Sequence, residues 1–284
     1  VHTEGCATSG TGLDELLVRT LLGYATHPMA RCCLLLEHGC EKNHNDGLRR
    51  ELKQLGFDPH RFGWASVQLD GGMDKVLNAI ELWFVEALSN VDPVEQNIVG
   101  LDRLSLGMFT SGSLSPPAAE GLAQLMGGIV ASGGTVVVPE DDGLLASAAF
   151  AACIRDTNRS VPTLAYGGRI STPGLHVMQA PSEHWVEAQT GLGATGVHIM
   201  LAYVGDSPKQ GHPMIPVIQV TSQVAVLEGW KEDLDLILDG DPAHWSQEML
   251  SLLIKTFSCE YSPRSFEQRN VDFQITRGSL GISL

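Results

Sequence analysis

The sequence predicts an α/β fold, two packed Rossmann-like units with mostly parallel sheets. Short apolar runs bounded by turn residues, such as Cys32 to Leu36, suit strands buried on both faces, and they alternate with stretches of helical periodicity. A polar linker carrying Pro93 lies between Asn90 and Asn97 and separates two such series. The chain has 284 residues, 43% of them hydrophobic and 31 of them Gly, enough to bury a large core in one or two domains. The boundaries read as 1–95 for a first unit, truncated at its N-terminus, and 96–284 for a second with an irregular tail.

Leu13, Leu16, Leu17, Leu21 and Leu22 repeat at helical spacing, with Thr11 and Asp14 as capping-type residues, and predict a helix over 13–26. A strand at 31–38 follows, then a helix at 46–55, a strand at 63–69 and a helix at 73–89. After the linker come a strand ending at Phe109, a helix over 117–132, a strand at 134–139 and a helix over 142–154. Short strands near 162–166 and 174–179, a helix at 183–191, strands at 197–204 and 215–221, and a helix near 243–257 complete the series. There is no internal repeat and no low-complexity run.

Charge excludes some partners. The net charge of −15, with no long basic cluster, leaves no footprint for nucleic acid or an anionic membrane, so an anionic substrate has to be held locally. The six cysteines lack the spacing of a secreted disulfide scaffold, and Cys32 and Cys33 are expected to point to opposite faces of a strand. Reduced thiols in the cytoplasm are the expectation. No signal peptide and no apolar run of about 18 residues is visible. A chain beginning at Val1 reads as a piece of something longer, with an upstream region or a separate subunit as its partner and homo-oligomerisation open.

The densest chemistry lies at LLLEHGCEKNHN, Leu34 to Asn45, where an apolar run stops at Gly39 and Glu37, His38, Cys40, Glu41 and His44 fall within eight residues. In open α/β sheets ligands bind outside the carboxyl ends of the strands. The strand ends at Gly39, Phe109 and Val204 are therefore expected to face a common cleft, with Ser111, Ser113 and Gly205 as candidate substrate-binding positions. Polar loops also follow strands simply because they meet water. His44 and His38 each have the chemistry of a general base, or of a capping or surface histidine. Lys42 serves as a base only if burial or a neighbouring cation lowers its pKa, and Asn43 can orient a substrate hydroxyl. His2, Cys6, Cys40 and Glu41 are chemically able to bind a divalent ion, although no diagnostic spacing supports them; His2 is also simply near a chain end and Cys6 also suits a core. Gly71-Gly72 after Asp70 is a tight turn or an anion-receiving turn, and Glu232 to Leu236 is a solvated helix end or a metal site.

His2-Thr3-Glu4-Gly5-Cys6 matches an H-x-x-G-C element and Gly39-Cys40-Glu41 a G-C-E element. Later, Gly174 to Pro181 matches G-L-x-x-M-x-x-P, Thr190 to Gly196 resembles T-G-Q-V-A-G-G, and Pro213 to Thr221 resembles P-x-I-K-V-A-T. In this order along one chain they resemble the altronate/galactarate dehydratase family of sugar-acid dehydratases. There are departures. Thr110 to Leu114 stands where the family has C-G-G-S-D, Tyr203 to Ser207 stands where it has T-T-G-R-G and brings Asp206 in place of the Arg, and Gln219 replaces the Lys.

The resemblance implies a hydro-lyase converting a hydroxylated acid such as altronate or galactarate to a 2-keto-3-deoxy acid, with a divalent metal, Fe2+ or Mn2+. It implies Lys42, His44 and Glu41 as catalytic candidates, Asn43, Ser111, Ser113 and Gly205 as substrate-binding ones, and His2, Cys6, Cys40 and Glu41 as metal ligands. Two other outcomes stay open. One is a non-catalytic, metabolite-binding or subunit-forming relative; the other is elimination of a different leaving group, such as sulfite, from a hydroxy acid.

Overall fold

The computed structural model describes residues 13–41, 43–91, 97–156 and 161–276. The chain is α/β throughout and divides into two compact units between Ile98 and Val99. Among the described residues no helix is long and apolar enough to cross a membrane.

The first unit runs α1 (Leu13–Ala25), β1 (Leu34–Glu37), α2 (Asn45–Gln54), β2 (Gly63–Ser66) and α3 (Met73–Ser89). β1 and β2 pair in parallel, Leu34 opposite Gly63 through Glu37 opposite Ser66. Leu22, Leu48 and Leu52 form the buried centre, and Leu35 and Trp64 pack onto it from the sheet. Gly63 lets Trp83 of α3 and Leu34 close over the other face, since a Cβ there would lie 2.7 and 2.8 Å from their side chains. This corrects two expectations. Cys32 and Cys33 precede β1 rather than lying in it, and the strand is not buried on both faces, because Leu36 is 50% exposed. Trp83 covers the face at Leu34, whereas Leu36, two residues further on the same face, extends past that cover.

The second unit runs β3 (Ser105–Ser111), α4 (Pro116–Ala131), β4 (Thr135–Pro139), α5 (Gly143–Ala146), α6 (Ala148–Asp156), β5 (Thr163–Leu164), β6 (Gly174–Met178), α7 (Trp185–Ala194), β7 (Ile199–Val204), β8 (Val217–Thr221), α8 (Val224–Trp230), β9 (Leu236–Ile237), α9 (Trp245–Phe257) and α10 (Arg264–Glu267). Its seven strands form one parallel sheet in the order β5-β6-β4-β3-β7-β8-β9. β4, β7 and β8 are buried along their whole length, as continuous apolar, β-branched strands require when helices cover both faces. On one face Leu122, Met126 and Ile129 of α4 meet Phe150 of α6 and Trp245, Met249 and Leu253 of α9. α4 starts cleanly because Ser115 caps it and Pro116 and Pro117 occupy its first positions. On the other face Leu192 of α7 approaches Gly107 of β3.

The single helix expected over 142–154 is two. The chain extends at Ser147, with ψ 138°, and the Ser147 hydroxyl then accepts the amide of Phe150 to start α6.

Two features tie the carboxyl ends of the central strands. Asp142, after β4, accepts the amide and hydroxyl of Thr110 in β3 at 2.6 and 2.9 Å and caps α5 through the amide of Leu144. Gly205, after β7, lies so close to β3's loop that a Cβ would be 2.1 Å from the carbonyl oxygen of Ser113.

Burial raises the Asp142 carboxyl from an ordinary 3.8 to about 6, against the lowering effect of its three donors. Between those values the folded chain keeps a proton that the unfolded chain has released, so this group's stabilising contribution is present below about pH 4 and lost as pH rises to about 6, on the order of 3 kcal/mol. Urea unfolding across pH 4–7 is expected to show that slope in the wild type and a flatter one in Asp142→Asn; parallel curves would refute the assignment. Gly205→Ala forces a Cβ onto backbone that has nowhere to move and is expected to cost about 3 kcal/mol or more, read as a lowered urea midpoint.

Candidate functional site

The loop leaving β1 is built around two carboxylates. Glu37, the last residue of β1 and only 7% exposed, turns inward and accepts the amide of Asn45 at 2.6 Å, fixing the start of α2. Asn45 donates its side-chain amide to the carbonyl of Ala65, so the same corner is pinned to β2. His44, the residue before α2, places Nδ1 3.7 Å from Glu37 Oε2 and is itself exposed. An imidazole facing a buried carboxylate on one nitrogen and open to a reactant on the other is a general base in form.

Gly39 allows the sharp turn, at φ +111°, where the backbone closes on Gln68. Glu41 holds that turn, accepting the amides of His38 and Gly39 at 2.5 and 2.7 Å. Partial burial pushes its carboxyl up, but those donors and the nearby His38 outweigh it and the group lies below the ordinary range. His38 Nδ1 lies 3.3 Å from Cys40 Sγ, which puts a thiol and an imidazole side by side. Asn43 is half-buried and its side chain makes no hydrogen bond among the described residues; the fixed amide in this loop is Asn45. Lys42, His2 and Cys6 lie outside the described residues. Among those described, no group of three or more His, Cys, Asp or Glu side chains is placed to hold a metal ion.

In the second unit β3 pairs with β4 on one side and β7 on the other, and the connections leaving β3 and β7 diverge. That switch point is where α/β sheets open a crevice. Ser111 and Val204 are paired at its mouth. Ser111 Oγ donates to Asp206 at 3.0 Å, and Lys209 Nζ reaches the other oxygen of the same carboxylate at 2.7 Å and Ser207 at 3.3 Å. Burial pushes the Asp206 carboxyl up, yet the Lys209 ammonium and the other donors hold it below its ordinary value. Gln219 is 1% exposed and grips the backbone of Lys209 in both directions, accepting its amide at 2.7 Å and donating to its carbonyl at 2.8 Å. Ser113 is held by the Gln223 side chain at 3.4 and 3.5 Å. The cluster Glu232 to Leu236 is a structural brace: Asp235 accepts the amides of Gln219 and Arg264 and the hydroxyl of Tyr261.

A pocket of about 290 Å³ opens beside Ser111, between the ends of β3 and β4, lined by Thr110, Asp141, Asp142, Glu183 and Trp185. Trp185 lies against Phe109 with ring centroids 4.4 Å apart. Burial raises the Asp141 carboxyl, and Glu183 and Glu140 add to the effect. Carboxylates beside an indole face suit a polyol, whose hydroxyls donate and whose C–H groups rest on the ring. Sequence reasoning missed Lys209, Asp141, Asp142, Glu183 and Trp185. The one available signal was Glu140-Asp141-Asp142-Gly143 directly after an apolar strand.

Two family models match the chain. D-galactarate dehydratase/Altronate hydrolase, second domain, covers residues 1–91, and D-galactarate/Altronate dehydratase, C-terminal, covers residues 149–278. The intervening residues 92–148, which include the altered segment Thr110 to Leu114, are matched by neither. No match was found among curated proteins. The two models belong to one family, follow each other in order and account for the loop at Gly39 as well as the strands from β6 to β9; the chain belongs to the galactarate/altronate dehydratase family of sugar-acid dehydratases.

Proposed function

We propose that this protein is a hydro-lyase that dehydrates a polyhydroxylated carboxylic acid, of the altronate or galactarate type, to a 2-keto-3-deoxy acid. Beyond family membership, the observation that carries this reading is the pairing of Glu37 and His44 at the carboxyl end of β1. The reaction removes the proton alpha to a carboxylate and expels the beta hydroxyl as water, leaving an enol that becomes the 2-keto acid. His44 takes the alpha proton on Nε2 while Glu37 faces Nδ1 and steadies the imidazolium that forms. Lys42 is the second base candidate.

A divalent ion, Fe2+ or Mn2+, is part of the proposal. Thiol, imidazole and carboxylate donors suit such an ion, and Cys40 and Glu41 with His2 and Cys6 form the proposed ligand set. When bound, it would stabilise the negative charge that develops on the substrate carboxylate.

In the second unit, Ser111, with Ser113 and Gly205 shaping the loop, presents substrate hydroxyls to the acidic pocket. Lys209 supplies the positive charge that Asp206 and Gln219 do not. A non-catalytic relative would retain ligand binding and show no turnover.

A coupled assay for 2-keto-3-deoxy acids over hexonates and hexarates, on protein supplied with ferrous iron, tests the reading. Turnover of at least one acid is expected, and none on any acid overturns it. His44→Ala is expected to lower kcat by about 10²–10⁴-fold, and Glu37→Gln to lower it less, with KM little changed in both. Lys209→Ala is expected to raise KM by about 10–100-fold with little change in kcat, the scale of a lost charge-assisted hydrogen bond.

A further inference from the structure

A second pocket, of about 390 Å³, lies on the first unit and is lined by Arg49, Arg50, Lys53, Pro59, His60 and Trp64. It stands apart from the Gly39 loop. α2 begins at that loop, at the carboxyl end of β1, and runs toward the amino end of β2, so Lys53 lies about 12 Å along the helix from Asn45. The volume is in the range of small-molecule sites.

The floor is apolar and its polar edges are already satisfied. Trp64 donates its indole N–H to the carbonyl of Pro59 at 2.9 Å, which leaves the half-buried ring's exposed part, beside Arg49, as the surface on offer. The Arg49 guanidinium lies 4.5 Å from the Trp64 ring centroid and also reaches Asp46 at 2.8 Å, so it is oriented and partly neutralised. Arg50 and Lys53 form no ion pair among the described residues. In a chain of net charge −15, this is a local concentration of positive charge around an aromatic floor. The favourable effect of a cation at a helix C-terminus accounts for Lys53, in the last turn of α2, but not for Arg49, Arg50 and His60 lining the same pocket.

We propose that this pocket binds a small aromatic anion, its flat body against Trp64 and Pro59 and its carboxylate or phosphate on Arg50 and Lys53. A bare phosphate would leave the apolar floor wet. A neutral ring would leave the two cations unengaged. An arginine fork matches either acid group in two-point geometry, and the exposed part of the indole together with Pro59 suits the edge and face of a flat ring.

Calorimetric titration of the full chain with adenosine monophosphate, benzoate, adenosine and inorganic phosphate tests this. At least one of the first two is expected to bind at sub-millimolar concentration, about tenfold or more tightly than both adenosine and inorganic phosphate. Binding of adenosine monophosphate alone assigns a phosphate ester, and binding of benzoate alone a carboxylate. Arg50→Ala with Lys53→Ala, both on the surface, is expected to weaken binding about tenfold or more with an unchanged thermal midpoint, and Trp64→Phe to retain it within about threefold. No binding of either aromatic anion, equal binding of phosphate alone, or unchanged binding in the double variant would overturn the proposal.

Discussion

The arrangement of the second unit depends on one pairing, that of β3 with β7. Six residue pairs, Leu106 with Ile199 through Ser111 with Val204, hold the two strands in parallel register, and the chain reaches β7 only after building β4, β5 and β6 on the far side of β3. The two strands end together while their connections leave in different directions. Their loops must then pass each other at backbone distance, which is why Gly205 has no room for a side chain against Ser113 and why Gly112, at φ +70°, turns beside Asp206. The same crowding brings Ser111, Asp206 and Lys209 within hydrogen-bonding reach without any of them being near in sequence to β3's other partner, Asp142.

At the first unit's strand end the constraint is electrostatic. Glu37 is a carboxylate at the end of an apolar run, and burial would be costly without donors. The amide of Asn45 answers it, and α2 can start there only because the strand delivers that carboxylate. His44 is consequently held beside Glu37 by backbone geometry. Glu41 plays a separate part: with its oxygens on the amides of His38 and Gly39, it shapes the turn that carries Cys40. A loop that spends one carboxylate on each of two turns can keep its histidine and thiol at the surface.

The order of strands and helices was legible because it rests on local periodicity, and the parallel sheet followed from it. The break at Ser147 was not, since nothing in Ala146-Ser147-Ala148 contradicts a continuous helix until the hydroxyl is seen capping Phe150. Leu36 lies on the same face of the apolar run as Leu34, and only the position of Trp83 decides which of the two is covered. In the loop after β1 the kinds of residue from Glu37 to His44 were legible, but the division of labour among them depends on which carboxylate meets which amide. Lys209 was invisible because its importance comes from Gln219, ten residues away on a neighbouring strand, fixing its backbone.

Charge gives the altered positions a common logic. By the resemblance read from the sequence, Asp206 takes the place of an arginine and Gln219 that of a lysine, which would remove two positive charges from the strand ends of a chain that is already strongly acidic. Lys209 restores one of them, and it does so through Gln219, whose neutral amide can both donate and accept where an ammonium could only donate. The ammonium is then shared with Asp206 and kept partly in water, 25% exposed. Under the proposed function, a substrate carboxylate would compete with Asp206 for Lys209, and its hydroxyls would find acceptors in Asp141, Asp142 and Glu183. A site of that kind would discriminate by hydroxyl pattern more than by charge, because a simple acid without hydroxyls would meet those carboxylates with nothing to donate.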